Sequence, residues 1–405
     1  MRILHTADWH LGDRLGRINR TAELRLAVEQ IAAACASEGV DVLLVAGDLF
    51  SDRCGHDGLR DTIEHLQRTF LPFLRRGGTM VALTGNHDHE GFCRTLTHTL
   101  NLAAPAPAVP GGLLPGGRLY LAVAPSFFRL KGRDGEEVQF VLMPYPTPAR
   151  YLDGAGRFAG FAEKNRALQE AYVARLKAIQ ADPAFRADVP SVLGAHIHVQ
   201  GAVLASPFRM SEAESIIVPE AAVPEGWAYV ALGHIHQPQF LMRKPHIRYS
   251  GSIQRLDLGE KDDQKGVVLF DIDAGGLRQP PAWLPIEAAP IHRVTIANPG
   301  EDLPRLKQRY PVAVPDLVRF ELAYTPGVDR LEDLLREIEA IFPNWYDREC
   351  RVAGAGAPMT SAAVAAQQGS VHDVVVGYLR EQLAGQPDAD AVLAMAEAFL
   401  AEDPA

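Results

Sequence analysis

Five short clusters of carboxylate, imidazole and amide side chains constrain this 405-residue chain more than any other feature. Each follows or ends a short apolar run, and they are Asp8-Trp9-His10, Gly47-Asp48, Gly85-Asn86-His87-Asp88, His196-Ile197-His198 and Gly233-His234-Ile235-His236. Loops at strand ends deliver polar groups into a crevice beside a sheet. One such cluster would be weak evidence, but five of them predict a single site assembled from several strands.

The residue types in these clusters indicate metal ions. A mixture of carboxylates, imidazoles and one amide suits Mn, Fe or Zn. Residues two apart on an extended segment face the same way, so Asp8 and His10 can serve one ion together. Two cations about 4 Å apart need a shared anionic ligand, and Asp48 is placed to bridge them. Spacing alone leaves the choice between His196 and His198 open.

The first 270 residues alternate apolar runs with amphipathic helices, which predicts an α/β domain of two packed sheets flanked by helices. The predicted strands are Arg2–His5, Val42–Ala46, Thr79–Leu83, Leu119–Ala122, Val138–Met143, Ser191–His198, Tyr229–Leu232, Ile247–Ser250 and Val267–Ile272. The predicted helices are Thr21–Ser37 and, approximately, Gly58–Leu74, Phe92–Leu100 and Ala162–Gln180.

A smaller βαβαβ module follows. Its predicted strands are His292–Ile296, Asp316–Ala323 and Trp345–Val352, and its predicted helices are Asp302–Arg309 and Asp329–Ile341. Residues 353–370 have the small, polar composition of a linker. Two apolar stripes in 371–405 predict a helical hairpin, which docks on a partner or on its own body because it cannot bury its face alone. The predicted division is therefore 1–285, 286–352, 353–370 and 371–405.

Charge and cysteine usage bound the protein class. The net charge of −10 argues against a nucleic-acid binder that works unaided. Cys35, Cys54, Cys93 and Cys350 have no CxxC spacing, which favours a reducing compartment. Neither a signal peptide nor an apolar run long enough to span a bilayer is present in the sequence, so we expect a cytoplasmic protein without a membrane partner.

The motifs resemble those of the calcineurin-like metallophosphoesterase superfamily: D-x-H, G-D, G-N-H-D, H and G-H-x-H. More closely, LHTADWHLGDRL, VAGDLF, LTGNHD, YVALGHIHQPQ and YSGSIQRLDLGEKD are similar to the bacterial SbcD DNA-repair nucleases. The similarity is strong over residues 1 to about 270 and weaker beyond. It implies a four-layer αββα sandwich, with the βαβαβ module as capping domain and the tail as the ATPase-binding hairpin.

The resemblance also implies the roles of individual residues. Asp8, His10 and His236 would hold one divalent ion, and Asn86, His196 and His234 a second, with Asp48 between them and Mn²⁺ or Mg²⁺ as the metals. His196 is favoured over His198 by its distance from Gly201. His87 would assist the leaving group, and Asp88 would orient it. Ser51 stands where some relatives carry a second histidine, so either a neighbour such as His56 substitutes or that role is missing.

The activity implied is that of a DNA nuclease, a double-strand exonuclease and a single-strand or hairpin endonuclease, using a water activated by two metals. Its partners would be DNA, a second copy bound through the helices near 58–74 and 92–100, and an SbcC-type SMC-like ATPase, in a nucleoid-associated heterotetramer. Candidate DNA contacts are Arg14, Arg17, Arg20, Arg53, Ser250, Ser252 and Arg255. The alternatives are a protein phosphatase, a cyclic-nucleotide phosphodiesterase and a non-catalytic scaffold.

Overall fold

The computed structural model describes residues 1–105, 109–152, 158–204, 216–223, 225–353, 380 and 392–395. The chain divides into two compact units, 1–350 and 351–405. In the second unit, residues 392–395 are helical. The rest of the predicted hairpin, and nearly all of the predicted linker, lie outside the described residues and stay predictions.

The described residues form twenty strands and seven helices. The strands are β1 (Arg2–Thr6), β2 (Arg14–Leu15), β3 (Ile18–Asn19), β4 (Val42–Ala46), β5 (Thr79–Leu83), β6 (Leu119–Ala122), β7 (Ser126–Lys131), β8 (Glu137–Met143), β9 (Ser191–His196), β10 (His198–Val199), β11 (Ile217–Val218), β12 (Tyr229–Gly233), β13 (Gln239–Phe240), β14 (Ile247–Tyr249), β15 (Gly266–Asp273), β16 (Gly276–Leu277), β17 (Ala282–Pro285), β18 (Ile291–Ile296), β19 (Leu317–Tyr324) and β20 (Trp345–Val352). The helices are α1 (Thr21–Ser37), α2 (His56–Arg75), α3 (Glu90–Ala103), α4 (Pro148–Tyr151), α5 (Phe161–Gln180), α6 (Pro299–Arg309) and α7 (Leu331–Ile341), with 3-10 turns at Glu220–Ala222 and Leu258–Glu260.

Two mixed sheets form the centre of the larger unit. The first has the order β16-β15-β1-β4-β5-β6, with β17 beside β15. In it β1, β4, β5 and β6 are parallel, and β15 joins β1 antiparallel. The second has the order β13-β14-β12-β9-β8-β7 and is parallel from β14 to β8, with antiparallel strands at both edges.

Three apolar clusters show the layering. One lies between the sheets and includes Leu44, Phe140 and Val268. A second joins the first sheet to α1, α2 and α3, and a third joins the second sheet to α5. The order helix, sheet, sheet, helix confirms the predicted αββα sandwich, because strands buried on both faces need helices outside them.

Most predicted elements are confirmed to within one or two residues. The short strands β2, β3, β11, β13, β16 and β17 and the short helix α4 were not predicted, and two longer strands also differ. The predicted strand Ser191–His198 ends at His196, and residues 198–199 pair instead with β11. Strand β7 was not predicted, because its sequence SFFRLK carries two positive charges, as is common for a strand at the edge of a sheet.

The βαβαβ module is present in the predicted order, with sheet order β18-β19-β20 and its own apolar core around Phe320, Ile338 and Phe342. It belongs to the same compact unit as the sandwich, so the boundary at 285/286 stays a prediction. None of the four cysteines forms a disulfide. Among the residues described, no helix has both the length and the apolar character needed to cross a membrane.

Candidate metal centre

The five sequence clusters meet at the carboxyl ends of β1, β4, β5, β9 and β12. The loops after β1 and β4 run side by side, since the Asp8 and His10 amides donate to the carbonyls of Gly47 and Asp48 at 3.0 and 2.9 Å. The amide of His87 donates to Oδ1 of Asp48 at 2.8 Å. The amide of His234 donates to the carboxylate of Asp8 at 3.0 Å. These hydrogen bonds hold the loops that follow β1, β4, β5 and β12 close together.

The backbone is strained where it presents the predicted ligands. Six non-glycine residues of the described chain have positive φ, and four of them are Asp8, His10, Asp48 and His234. Such conformations cost about 1–3 kcal/mol each and persist only where surrounding contacts enforce them. The strain therefore falls on the residues whose side chains converge.

Asp48 lies at the centre of the cluster. Its Oδ2 is 3.2 Å from Nε2 of His196 and 3.6 Å from Nε2 of His10. On one side Asp8, His10 and His236 place one ligand atom each within 4.8 Å of one another. A methyl group on Gly85 would collide with the Asp48 carboxylate, so only glycine permits this approach.

On the other side of Asp48, three atoms that can bind a cation face one another. Oδ1 of Asn86 is 3.0 Å from Nε2 of His196 and 2.9 Å from Nδ1 of His234. His196 uses its Nδ1 against the carbonyl of Ala46 at 2.8 Å, which directs the Nε2 lone pair of the neutral ring at Asn86 and Asp48. Lone pairs aimed at acceptors repel, and a divalent cation removes that repulsion. The donor set fits a metal on this side.

Without a metal, protons compensate for part of this charge. Burial opposes a charged His196, but Asp48 and Asp8 prevail and raise its pKa to about 9. Burial and then Asp48 raise the pKa of Asp88 to about 6. Burial and the neighbouring His196 hold the pKa of His234 well below its usual range. The centre therefore contains buried ionisable groups whose protonation a bound cation would change.

His196, not His198, contacts Asp48 and Asn86, and its role as a metal ligand stays a prediction. His198 is buried on β10. His87 lies at the rim, with 30% of its side chain exposed and its ring 4.9 Å from that of His10. It is the histidine of the centre most open to a substrate.

The prediction that Asp88 orients His87 is wrong. Both oxygens of Asp88 accept backbone N–H groups, from Phe50 at 2.9 Å and Gly85 at 2.8 Å, because the buried carboxylate ties two ligand loops together. The carboxylate that faces Nδ1 of His87 is Asp52, at 3.6 Å.

Neither of the groups considered for the missing second histidine contacts His87. Ser51 is buried and its hydroxyl donates to Asp13. His56 is exposed at the start of α2. Asp52, which the sequence motifs did not single out as a site residue, is the side chain from this loop that approaches His87.

Several candidate DNA contacts have structural roles instead. Ser250 and Ser252 are fully buried, and the latter donates to Glu260 at 2.7 Å. Arg255 donates to three backbone carbonyls. Arg20 is buried and donates to the carbonyl of Arg255. Ser250, Ser252 and Arg20 are buried and cannot reach a phosphate, so these three assignments are wrong. Arg255 is half-buried with both terminal nitrogens bound to carbonyls, and its assignment stays a prediction.

The three remaining arginines are exposed. Arg17 donates to the carbonyls of Trp345 and Pro343 at 2.9 and 2.8 Å and stacks 4.2 Å from the Trp345 ring, which commits it to the βαβαβ module. Arg14 donates to the Arg17 carbonyl, and Arg53 donates to the Arg14 carbonyl. These two stay predicted DNA contacts.

Two further residues of the centre were not predicted from the sequence. The ring of Tyr145 lies 5.4 Å from His234 and 6.1 Å from His196 and is half-buried. Glu260 lies 2.9 Å from Nδ1 of His236. Glu260 stands within the stretch YSGSIQRLDLGEKD, but no spacing rule connects it to His236.

Comparisons with known proteins agree with this geometry. The family profile described as calcineurin-like phosphoesterase matches residues 1–238. The D component of the nuclease SbcCD from Rhodobacter capsulatus is 32% identical over 297 residues, which cover 68% of this chain and 67% of that protein.

The corresponding SbcCD components of Bacillus subtilis and Escherichia coli K12 are each 29% identical, over 279 and 287 residues. These matches cover 68% of this chain in both cases, and 67% and 66% of those proteins. The chain therefore belongs to the calcineurin-like phosphoesterase family, in which its curated relatives include the D components of SbcCD nucleases.

Proposed function

We propose that this chain is the nuclease component of an SbcCD-type complex, which cleaves DNA as a double-strand exonuclease and as a single-strand or hairpin endonuclease. As a calcineurin-like phosphoesterase it is a metal-dependent hydrolase of phosphodiester bonds. The observation that carries the proposal is the position of Asp48 Oδ2 between His10 and His196. That position suits a carboxylate shared by two cations.

The two sides of Asp48 would hold one cation each. Asp8, His10 and His236 would bind the first, and Asn86, His196 and His234 the second, with Mn²⁺ favoured and Mg²⁺ possible as the metal. Bound cations supply activation of water near neutral pH and neutralisation of charge on phosphate oxygens. The carboxylates, imidazoles and amide around Asp48 fit that chemistry.

The remaining chemistry belongs to the side chains. His87 is exposed at the rim and can donate a proton to the departing 3′ oxygen. Asp52, whose carboxylate lies 3.6 Å from Nδ1 of His87, would orient the ring. Asp88 keeps the loops of Phe50 and Gly85 together, so that Asp48 and Asn86 stay in place.

The direct test assays the purified chain with Mn²⁺ or Mg²⁺ on linear duplex, hairpin and single-stranded DNA, with and without the ATPase partner and ATP. We expect Mn²⁺-dependent cleavage that Asp48→Asn abolishes. Exposed Asp134 offers the matched control, and Asp134→Asn should cleave normally. No cleavage of any DNA under these conditions would reject the proposal.

The rival assignment as a phosphatase is tested with small substrates. Bis-p-nitrophenyl phosphate reports diester hydrolysis, and p-nitrophenyl phosphate reports monoester hydrolysis. A nuclease centre should prefer the diester. A strong preference for the monoester, with no DNA cleavage, would favour the phosphatase.

An apolar groove between α2, α3 and the β5–β6 edge supports the homodimer. Its volume is about 550 Å³, and its lining includes Leu66, Phe70, Leu74, Leu96, Leu100 and Leu121. A second copy would cover it. Light scattering should show a dimer for the native chain and a monomer for Leu66→Glu. Leu26→Glu, on the exposed part of α1, is the control that should stay dimeric.

The ATPase partner explains how a chain of net charge −10 could grip DNA. The tail, residues 371–405, would dock on it by helix-in-groove packing. Deletion of these residues should abolish co-purification with the ATPase and leave hydrolysis of bis-p-nitrophenyl phosphate unchanged. Undiminished co-purification would exclude the tail as the docking element.

A further inference from the structure

We infer that Glu260 is a positioning residue that fixes His236 as a metal ligand. Its Oε1 accepts a hydrogen bond from Nδ1 of His236 at 2.9 Å. The other nitrogen, Nε2, then carries a lone pair and faces Nε2 of His10 at 3.3 Å. This inference rests on the proposed function, because it assigns Glu260 to the first of the two proposed metal sites.

The carboxylate of Glu260 is itself held firmly. Its Oε2 accepts from Nζ of Lys265 at 2.6 Å and from the hydroxyl of Ser252 at 2.7 Å. Glu260 and Lys265 are 1% and 2% exposed, and Ser252 is fully buried. With two donors on Oε2, the carboxylate cannot rotate away, and Oε1 stays directed at His236.

Lys265 also holds the backbone of His236. Its Nζ lies 3.0 Å from the His236 carbonyl, 2.9 Å from Oγ of Ser252 and 3.1 Å from Asp263, so its three N–H groups are shared among these acceptors and Glu260. The ring of His236 is therefore held by Glu260, and its main chain is held by Lys265. A buried lysine is tolerated here because two carboxylates pair with it.

The network joins the two strands that supply the first metal site. Lys265 immediately precedes β15, which pairs with β1, and β1 leads to Asp8 and His10. His236 follows β12 in the other sheet. Glu260 thus links the His236 loop to the start of β15, and none of its contacts reaches Asn86 or His196. We therefore expect it to act on one metal site only.

A carboxylate that accepts from a ligating imidazole fixes the tautomer and the direction of the ring, and its loss typically weakens metal binding about 10–100-fold. Removing Glu260 alone would leave Lys265 buried without its main partner and could unfold the chain. The test therefore replaces both charges together. Glu260→Leu with Lys265→Met removes the acceptor, whereas Glu260→Gln with Lys265→Met keeps an amide oxygen that can accept from Nδ1.

Mn²⁺ alone is titrated into each variant by calorimetry, at a temperature where circular dichroism shows a folded chain. The Leu–Met variant should lose about 10–100-fold in affinity at one site and less than about twofold at the other. The Gln–Met variant should recover most of that loss. The matched control replaces another ion pair, with Glu137→Leu and Arg129→Met on neighbouring strands, and should bind as the native chain does.

A purely structural network would not distinguish two variants of equal charge. Equal affinities for both double variants and the native chain, or equal weakening of both sites, would overturn the role of Glu260 while the two-metal centre stands. Failure of the native chain to bind Mn²⁺ would overturn both the proposed function and this inference, and it is seen before any variant is made.

Discussion

The Nε2 atoms of His10 and His236 lie 3.3 Å apart, although the two rings come from loops on different sheets. Two neutral imidazoles with their nitrogens at this distance either form a hydrogen bond or direct both nitrogen lone pairs at the space between them. The same arrangement recurs at Asn86 between His196 and His234. A cation at either position would bind the native state and not the unfolded chain.

Metal binding should therefore raise thermal stability. At a free Mn²⁺ concentration of about 100 times Kd, one site contributes about 2.7 kcal/mol. For a folded unit of 350 residues, that should raise the unfolding temperature of the EDTA-treated chain by roughly 3–5 °C per site. Scanning calorimetry with and without Mn²⁺ measures this rise in the unfolding temperature. Asp48→Asn should respond much less, and an identical response of both proteins would contradict the bridging role.

His87→Ala should separate metal binding from cleavage. The ring lies at the rim and its amide, not its side chain, bonds to Asp48, so metal affinity should stay near native. The rate of DNA cleavage should fall about 10²–10⁴-fold, the usual contribution of a general acid. Mn²⁺ calorimetry and a cleavage time course check both halves.

His98→Ala is the matched control, because His98 is exposed on α3 away from the five clusters. It should cleave DNA at the native rate. A His87→Ala protein that cleaves normally with full metal content would exclude the role of His87.

Asp52→Asn should have a smaller effect. The carboxylate is 63% exposed and faces His87 at ion-pair distance, 3.6 Å, so water and salt screen the interaction. An exposed pair of this kind contributes up to about 1 kcal/mol. Cleavage by Asp52→Asn should therefore be roughly two- to fivefold slower than native at low salt, and the two rates should become equal at high salt. Asp134→Asn should show no such salt-dependent difference. A loss of Mn²⁺ affinity in Asp52→Asn would mean that Asp52 serves the metals instead.

Apolar periodicity was enough to predict the strands and the sandwich, because strands such as Val42–Ala46 are buried on both faces whatever surrounds them. It could also predict the cluster of Asp8, His10 and Asp48, since parallel strands end at one edge. Side-chain contacts between segments far apart in the sequence could not be predicted from local sequence patterns. Asp88 follows His87 in sequence yet points to Phe50 and Gly85.

Polar residues in the stretch YSGSIQRLDLGEKD gave a different error, because they were predicted to be exposed DNA contacts. Ser252 and Arg255 resemble surface contacts for DNA, but their hydrogen-bond partners, Lys265 and the carbonyls near 288, lie ten or more residues downstream. Glu260 was overlooked for the same reason, because its partner His236 lies 24 residues upstream. Tertiary pairing of this kind decides between buried and exposed polar groups.

The hairpin of β2 and β3 connects the metal-ligand loop to the βαβαβ module, through Arg17 and through an apolar cluster that includes Leu15 and Ile291. The Arg17 guanidinium donates to two backbone carbonyls of the module and stacks on Trp345. Gly16 has φ +54, and a methyl group there would collide with the carbonyl of Tyr346. The module is therefore attached close to the loop that carries Asp8 and His10.

Arg17→Ala should loosen this attachment by about 2 kcal/mol, because a charged donor to carbonyls is worth about 1.5–3 kcal/mol. Amides near Trp345 should exchange with deuterium faster, while hydrolysis of bis-p-nitrophenyl phosphate and Mn²⁺ affinity stay native. Under the proposed function we expect cleavage of duplex DNA to slow, because duplex DNA is large enough to contact the module and the small diester is not. Arg278→Ala, at an exposed position directly after β16, should change none of these. Equal slowing of both substrates would show that the hairpin acts on the metal centre and not on DNA placement.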